Sequence, residues 1–249
     1  MFYRAMNTSR PRQQILTLIA IALTFASGAA DVASFTRMGN VFTSVMTGNI
    51  VLWGLAVARG SLTLASHTAV AIGGYILGVA AGTWIARGAK EAGSDPDESR
   101  AGVLPPHVIW VLLAELTLLA GFAVGWEVSR SSPTGWAQFS LLATLAAAMG
   151  VQSSAVNDMG LTQVSTTYLT GTLTGLVSSL VSPGQDTPHG LRRFGVLIGL
   201  VAGASLCGVL VATAAAGVPA LPLAAVITTL VLATGPGWRL PRLRDRIKR

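Results

Sequence analysis

The stretch Phe42-Thr-Ser-Val-Met-Thr-Gly-Asn49 places hydroxyl groups, a glycine and an amide inside an apolar part of the chain. A similar stretch, Ser165-Thr-Thr-Tyr-Leu-Thr-Gly-Thr172, occurs in the second half, and the two Thr-Gly pairs lie 123 residues apart. Internal repeats decide the architecture of a chain, and matching polar interruptions in two apolar halves are a sequence sign of a transport site. We therefore predict a duplicated membrane protein.

Each polar stretch is followed by a row of three glycines at every fourth position. The rows are Gly74, Gly78 and Gly82 in the first half and Gly195, Gly199 and Gly203 in the second. Small residues at this spacing form a flat stripe along one helix face and let another helix approach closely. We expect the two rows to pack against each other or against the interrupted helices.

The composition independently predicts a membrane protein. Of the 249 residues, 51% are hydrophobic and only 11% are charged, against about 25% charged residues in soluble domains, and the mean hydropathy is +0.61. The net charge of +7 comes mainly from basic residues near the two ends of the chain, including a basic tail at 237–249. Such clusters anchor a membrane protein at the cytoplasmic, anionic lipid surface, so we expect lipid and not nucleic acid as the partner.

Read with a window suited to membrane helices, the sequence contains eight apolar segments in one membrane domain, 1–249. The segments are Gln14–Ala33, Val41–Ala58, Leu64–Ala86, Val108–Trp126, Trp136–Val156, Thr166–Val181, Phe194–Ala215 and Leu221–Ala233. They divide into repeat one, about 14–126, and repeat two, about 136–236, with a polar loop at 87–106 between them. The fold class is an all-α, polytopic transmembrane bundle.

Two topologies fit these segments. Eight crossings place 13 of the 17 Lys and Arg residues on the cytoplasmic side, whereas six crossings with two re-entrant segments place 14 there, so charge does not choose between them. The 18 residues of Val41–Ala58 would form a helix of about 27 Å, which favours eight crossings. Eight would make the halves parallel repeats, and six would make them inverted repeats.

The interrupted segments have a structural and a functional interpretation. Threonine can bond to a carbonyl one turn earlier and glycine permits close packing. Alternatively, glycine opens the helix so that hydroxyl and carbonyl groups line a cavity. Unpaired amides and acids in lipid cost several kcal/mol, and their presence here favours a substrate-binding lining. That predicted lining comprises Asp31, Thr47, Gly48, Asn49, Gln152, Asn157, Asp158, Thr170, Gly171 and Thr172.

Two acidic residues lie within or at the end of apolar segments, Asp31 and Glu115. Ionisable residues at such positions are rare and costly, and they mark functional sites by default. We expect either acid to couple proton movement to substrate movement. The structural alternatives are an interfacial ion pair between Asp31 and Arg37, and a protonated Glu115 bonded across a helix interface.

The string Gly28-Ala-Ala-Asp31, followed by Phe42-Thr-Ser-Val-Met-Thr-Gly-Asn49, resembles the YoaK-like bacterial integral membrane proteins, a domain-of-unknown-function family of about this length. The resemblance covers nearly the whole chain and also includes Gly150-Val-Gln152. It implies a membrane protein with about six helices and no established substrate, and it adds no catalytic residue. The second copy departs from the first because Thr172 stands where the first has Asn49.

These observations lead to a transporter of a small molecule or ion, with its site between the two interrupted helices. The alternative is a non-transporting accessory protein whose polar and glycine motifs hold partner helices, and a homo-oligomer is compatible with either. An enzyme is disfavoured because the chain lacks the common metal-protease, nucleophile-elbow and phosphate-loop motifs. With one cysteine, Cys207, a cysteine metal cage is excluded, and we expect no metal or cofactor. We expect the bacterial inner membrane as location, with both termini cytoplasmic.

Overall fold

Prolines and apolar runs together define the helices. Pro11, Pro106, Pro188 and Pro222 each fall in the first turn of a helix, where the absent N–H costs no helical hydrogen bond. The computed structural model describes residues 9–92, 103–159, 169–181 and 187–234, and it has no strand within these ranges. The helices there are α1 (Ser9–Arg37), α2 (Met46–Arg59), α3 (Leu62–Ala92), α4 (Pro106–Val128), α5 (Gly135–Asp158), α6 (Leu169–Val181), α7 (Thr187–Thr213) and α8 (Ala220–Thr234).

Six of the described helices are long and apolar enough to cross a membrane, and α2 and α6 are not among them. The 14 residues of α2 and the 13 of α6 measure about 21 and 20 Å, which is shorter than the hydrocarbon thickness of about 30 Å. The chain is therefore a multi-pass membrane protein, and the predicted all-α bundle is confirmed.

The first glycine row lies against α5, and the contacts show that α3 and α5 run in the same direction. A Cβ at Gly74 would lie 2.7 Å from the carbonyl oxygen of Ala143, and a Cβ at Gly78 would collide with the carbonyl of Ala147. Each step of four residues along α3 matches a step of four along α5. Gly150 completes the contact from α5, because a side chain there would strike the backbone of α3.

The second glycine row lies against α1 in the same way. A Cβ at Gly199 would lie 2.9 Å from the carbonyl oxygen of Ile21, and a Cβ at Gly203 would collide with the carbonyl of Phe25. Helices α1 and α7 are therefore parallel. The expectation that the rows pack on each other or on the interrupted helices is wrong, because a stripe of small residues predicts a close approach without identifying the partner helix.

Helices α1 and α5 run in opposite directions. The Gln138 Nε2 donates to the Arg37 carbonyl at 3.1 Å, near the end of α1. Fourteen residues later on α5, the Gln152 Nε2 donates to the Leu23 carbonyl at 3.1 Å, fourteen residues earlier on α1. Hydrogen bonds at matching intervals in opposite order fix an antiparallel pair.

These directions decide how often the chain crosses. Helices α1 and α5 are antiparallel. Because α3 is parallel to α5, it runs opposite to α1, and because α7 is parallel to α1, it runs opposite to α5. Helices α2 and α6 therefore each return the chain to the side from which it came, and six helices cross. The preference for eight crossings and parallel halves is wrong. The first three long helices and the last three instead run in opposite directions.

The two ends of the bundle carry different charged groups. We call the end with Arg12, Lys90 and Asp158 the near face, where α1 begins and α8 ends, and the end with Arg37 and Arg130 the far face. At the far face the Trp126 Nε1 donates to the Ala215 carbonyl at 2.8 Å, which ties the end of α4 to the start of the α8 segment.

Four long helices enclose the centre of the bundle. Helix α1 packs on α8, α8 on α4, α4 on α5, and α5 on α1, and we call these four helices the inner ring. Helix α3 packs outside the ring on α5 and α4, and α7 packs outside it on α1. Large buried side chains such as Leu23, Leu112, Leu142 and Met149 fill the ring.

Most predicted boundaries shift by a few residues in the structure, the largest shift being the start of α7 at Thr187 and not at Phe194, and two further shifts change the connections around α2 and after α3. Helix α2 begins at Met46 and not at Val41, because side chains of α1 and α2 hold the backbone of the preceding residues in a non-helical connection. Helix α3 continues to Ala92, so the first residues of the predicted 87–106 loop are helical, as suits their alanine, lysine and glutamate content. Residues 93–102 and the predicted tail 237–249 lie outside the described residues.

Candidate functional site

The carboxylate of Asp31 is held by the connection between α1 and α2. Its Oδ1 accepts the backbone N–H of Thr43 and of Ser44, each at 2.8 Å, and the Thr43 hydroxyl at 3.2 Å. Its Oδ2 accepts the Ser44 hydroxyl at 2.6 Å. Hydrogen bonds to a charged acceptor are stronger than neutral ones. Asp31 therefore fixes the entry to α2 against the side of α1.

Arg37 is not the partner of Asp31. Its guanidinium donates to the Val211 carbonyl on α7 at 3.0 Å, so the structural alternative of an ion pair between these residues is not found among the described contacts. The carboxylate of Asp31 is instead stabilised by the N–H and O–H donors of Thr43 and Ser44.

Asn49 pairs with the backbone of one residue, Phe42. Its Oδ1 accepts the Phe42 N–H at 2.9 Å and its Nδ2 donates to the Phe42 carbonyl at 2.6 Å. The side chain is fully buried. Asn49 thus satisfies two backbone groups that a non-helical connection would leave unpaired at membrane depth, and its amide is committed to this structural contact.

The Thr-Gly pair itself lies towards the outside. Thr47 is exposed, and Gly48 has the side chains of Val45 and Phe42 beside it. In the second copy Thr170 and Gly171 are exposed, whereas Thr172 is buried. The residues that lead into α6, at 160–168, lie outside the described part of the chain.

Gln152 lies at the interface between α5 and α1. Its Nε2 donates to the Ser27 hydroxyl at 2.9 Å as well as to the Leu23 carbonyl. Its Oε1 is buried and has no hydrogen-bond partner among the described residues. The bond to the Leu23 carbonyl fixes which way the amide points, since exchanging the nitrogen and oxygen would set two acceptors against each other.

Glu115 lies in the middle of α4, in a stripe of buried residues that faces the interior. The side chain is fully buried, and both carboxylate oxygens lack a partner among the described residues. The hydroxyl of Thr229 on α8 is also buried, but it donates to the Ala225 carbonyl of its own helix at 3.0 Å. The structural alternative for Glu115, a hydrogen bond across a helix interface, is therefore not found in the described part of the bundle.

Glu115 and Gln152 lie at nearly the same depth. The Leu141 side chain borders Gly125 at one end of the antiparallel α4–α5 pair, and the His107 Nε2 lies 3.7 Å from the Asp158 Oδ2 at the other. At 1.5 Å per residue, Glu115 is about 15 Å along α4 from Gly125, and Gln152 is about 16.5 Å along α5 from Leu141. Both groups therefore lie near the middle of the bundle.

Helix geometry turns both groups towards the inner ring. On α5, Gln152 is eleven residues after Leu141, whose side chain touches Gly125 of α4. On α4, Glu115 is eleven residues before Trp126, which bonds to the Ala215 carbonyl just before α8. Eleven residues are about three turns, so each pair shares a helix face to within about 20°. Gln152 thus lies on the α5 face that carries Leu141, with its amide reaching α1, and Glu115 lies on the α4 face that carries Trp126.

Asn157 and Asp158 lie at the near face and not beside the other predicted lining residues. Asn157 is exposed. The Asp158 Oδ2 accepts the Lys90 Nζ at 3.0 Å, and the His107 Nε2 also lies within ion-pair distance. This cluster joins the ends of α3 and α5 to the start of α4. The structure therefore separates the predicted site residues into three groups. These are the clamp of Asp31 with Thr43 and Ser44, the interior pair of Glu115 and Gln152, and the interfacial ion pair of Asp158 with Lys90.

The sequence interpretation missed a polar seam on α1. Thr24, Ser27, Asp31 and Ser34 are all buried and follow the i, i+3, i+7, i+10 spacing of one helix face. That spacing could have been found in the sequence, although hydroxyl residues in a membrane helix often bond only within the helix, as Thr24 does to the Ala20 carbonyl at 2.7 Å. Among the described residues, no group of three His, Cys, Asp or Glu side chains is placed to hold a metal ion.

Comparison with known proteins agrees with a transmembrane protein. Residues 19–234 match the sequence model of a protein family described as "Protein of unknown function (DUF1275)". The chain is also 29% identical over 175 residues to the UPF0700 transmembrane protein YoaK of Bacillus subtilis (strain 168), and the match covers 70% of each chain. No solved structure gives a significant match.

Proposed function

The chain belongs to the DUF1275 family of YoaK-like membrane proteins, and we propose from its own geometry that it transports a small molecule or ion. The observation that carries this proposal is the pair of interior groups, Glu115 and the amide oxygen of Gln152. Both have unfilled hydrogen-bonding capacity at the middle of the bundle. Leaving such groups unpaired in an apolar setting costs roughly 1–3 kcal/mol or more each, and a solute that binds them would offset that cost.

The helix directions support the same proposal. Two sets of three crossing helices that run in opposite directions are the arrangement of inverted-repeat transporters, in which the solute site lies near the midplane between the sets. Glu115 belongs to the first set and Gln152 to the second. A solute held between them would touch both halves, so its binding would respond to a movement of one half against the other.

The clamp around Asp31 has a supporting role in this proposal. It holds the short helix α2 against α1, and α1 itself bonds to Gln152 through Ser27. Asp31 lies four residues after Ser27 on the same buried face of α1. A shift in the position at which α2 begins would therefore be transmitted to Gln152 through one turn of α1. On this proposal the polar motif of the first half acts mechanically and does not contact the solute.

The basic residues support an orientation with both termini in the cytoplasm. With six crossings, 14 of the 17 Lys and Arg residues fall at the near face or in the segments that join it. The other three, Arg37, Arg59 and Arg130, fall at the far face. Because cytoplasmic ends carry the excess of basic residues, we propose that the near face is cytoplasmic and that the membrane is the bacterial inner membrane.

Flux across a sealed membrane tests the proposal. The full chain is reconstituted in liposomes, and the uptake of a panel of radiolabelled ions and small polar solutes is compared with that of empty liposomes, under both an inward and an outward proton gradient. We expect at least one solute to move, and Glu115→Gln to reduce its rate at least tenfold while the amount of reconstituted protein is unchanged. Asp158→Asn is the matched control, because this acid lies in the interfacial ion pair. Equal rates for the wild type and Glu115→Gln would refute the proposal.

A second candidate is a non-transporting accessory membrane protein, and one observation favours it. The polar groups of Asp31 and Asn49 are satisfied inside the chain, as expected if the first motif serves only folding and assembly. On this alternative, Asp31→Asn would lower abundance and complex formation, and no solute of the panel would move. Flux that is lost in Glu115→Gln at normal abundance excludes it.

A further inference from the structure

The interior pair presents only acceptor atoms. The unpartnered atoms are the two carboxylate oxygens of Glu115 and the Oε1 of Gln152. The other buried side-chain atoms without a partner in the described residues belong to His107, in the first turn of α4, and Arg192, in the second turn of α7. At mid-depth, therefore, the unfilled positions call for a donor or a positive charge and not for another acceptor.

The amide oxygen of Gln152 is held in place by its other end. Since Nε2 donates to the Leu23 carbonyl, rotation of the amide would set two acceptors against each other. The buried Oε1 is thereby held in place at the depth of Glu115. A fixed neutral oxygen and a carboxylate are the kinds of ligand found in cation sites of membrane proteins, where backbone and amide oxygens replace water.

Charge selects the valence of the bound ion. Among the described residues, Glu115 is the acid at this depth without a hydrogen-bond partner, because the carboxylate of Asp31 is occupied by Thr43 and Ser44 and Asp158 lies at the near face. One carboxylate balances one positive charge, whereas a divalent cation would leave an uncompensated charge in the interior.

We propose that Glu115 and Gln152 together bind a monovalent cation, within the chemical range of a proton, ammonium or an alkali ion, at the centre of the inner ring. This inference rests on the proposed function in that it names the charge class of the solute or coupling ion. Binding itself needs no transport and can be measured separately. Glu115 supplies the charge, and Gln152 supplies the second oxygen from the opposite half of the chain.

Thermal unfolding of the purified full chain in detergent tests the site. A ligand that binds the native state raises the Tm by an amount that grows with its concentration above the Kd. The titrations use sodium, potassium or ammonium chloride at constant ionic strength, with choline chloride as the replacement salt, and each is repeated from pH 5 to pH 9. The six Trp residues give the fluorescence signal.

We expect one of these cations to raise the Tm in a saturable way, and Glu115→Gln and Gln152→Met each to abolish the rise. Glu115→Gln keeps the shape of the side chain and removes its charge, so we expect it to fold. Asp158→Asn is the matched control and keeps the rise. A cation-dependent rise that survives in both interior variants would overturn the proposal, because the cation would then bind elsewhere.

The pH series identifies the proton as the cation. If the Tm is insensitive to all three salts but changes with pH, and Glu115→Gln removes this change, the bound cation is the proton. The other ionisable groups on the helices that pack on α4, and on α4 itself, are His67, Tyr75, Arg87, Lys90, Glu91, His107, Glu127 and Asp158. Substitution of His107 by Gln separates its contribution from that of Glu115. A Tm that responds to neither salt nor pH through Glu115 overturns the inference, whereas cation binding without flux in liposomes would overturn the proposed transport alone.

Discussion

The carboxylate of Asp31 accepts two hydrogen bonds from Ser44: the backbone N–H donates to Oδ1 at 2.8 Å, and the hydroxyl donates to Oδ2 at 2.6 Å. Twelve other residues separate the two in sequence. Helix α1 ends at Arg37, just before Gly39 and Asn40, whose positive φ angles of 95° and 58° do not continue a right-handed helix. The carboxylate of Asp31 then holds residues 43 and 44, which precede the start of α2 at Met46, against the side of α1.

Removing the charge of Asp31 should destabilise the protein. In Asp31→Asn, one oxygen remains for two backbone N–H groups, and the Ser44 hydroxyl loses its charged acceptor. Since hydrogen bonds to a charged group contribute about 1.5–3 kcal/mol, we expect a loss of roughly 2 kcal/mol, measured as a lower Tm in detergent. Ser44→Ala, which removes one of the donors, should cost less. An unchanged Tm in Asp31→Asn would contradict the clamp.

Asn49 and Thr47, two positions apart in one motif, should respond differently to substitution. Asn49→Ala leaves the N–H and carbonyl of Phe42 without partners, and we expect it to lower the Tm and the yield of protein in the membrane. Thr47→Val should change neither, because Thr47 is exposed. Thermal melts and quantitative blots of both variants make the comparison, and equal losses would mean that Thr47 has a contact that its exposure does not suggest.

Adjacent glycines in α3 provide a matched pair for the helix contact. Gly74→Ala brings a methyl group within 2.7 Å of the Ala143 carbonyl, whereas a Cβ at Gly73 meets nothing within 4 Å. We expect Gly74→Ala to cost about 1–3 kcal/mol through overpacking. Gly73→Ala should be neutral or stabilising by about 0.5–1 kcal/mol, because alanine is the better helix former. The opposite order of stabilities, measured by unfolding in detergent, would show that α3 and α5 do not touch as described.

The ion pair at the near face should contribute little. The Lys90 side chain is 48% exposed and that of Asp158 is 22% exposed, so water screens their attraction. We expect Lys90→Ala to change the free energy of unfolding by less than about 1 kcal/mol and to leave abundance unchanged. A double-mutant cycle with Asp158→Ala measures the coupling directly, and a coupling well above that bound would indicate a structural role for the cluster.

Cysteine labelling of intact cells checks the six crossings. In a Cys207→Ala background, Ser94→Cys lies in the connection between α3 and α4, and Ser132→Cys lies in the connection between α4 and α5. With the near face in the cytoplasm, a membrane-impermeant thiol reagent should label Ser132→Cys from outside and should reach Ser94→Cys only after lysis. Labelling of both from outside would be incompatible with α4 crossing once between them.

Much of the fold was predictable because a membrane imposes strong rules on sequence. The eight helices follow the eight apolar segments, and the buried face of α4 around Glu115 follows helical spacing. The number of crossings was not predictable from these rules. Val41–Ala58 is apolar enough to be read as one helix, and only the bonds from Asp31 and Asn49 to residues 42–44 show that its first part is not helical.

The candidate site was predictable by residue type but not by grouping. Asp31, Asn49, Glu115 and Gln152 were all identified from the sequence, since polar groups at membrane depth are costly. The hydrogen bonds that each of these side chains makes depend on contacts between residues that can be more than a hundred positions apart, such as Gln152 and Ser27. No local pattern encodes these pairings.

By itself the sequence determined that this is a multi-pass, all-α membrane protein with polar interruptions near the middle of each half, because hydropathy and helical spacing are local properties. The tertiary structure alone decided the partners: α3 on α5, α1 on α7, and Gln152 on α1. Helix directions and hydrogen-bond satisfaction arise from packing between distant segments. The local sequence around a row of glycines or a lone acid does not identify the helix that packs against it.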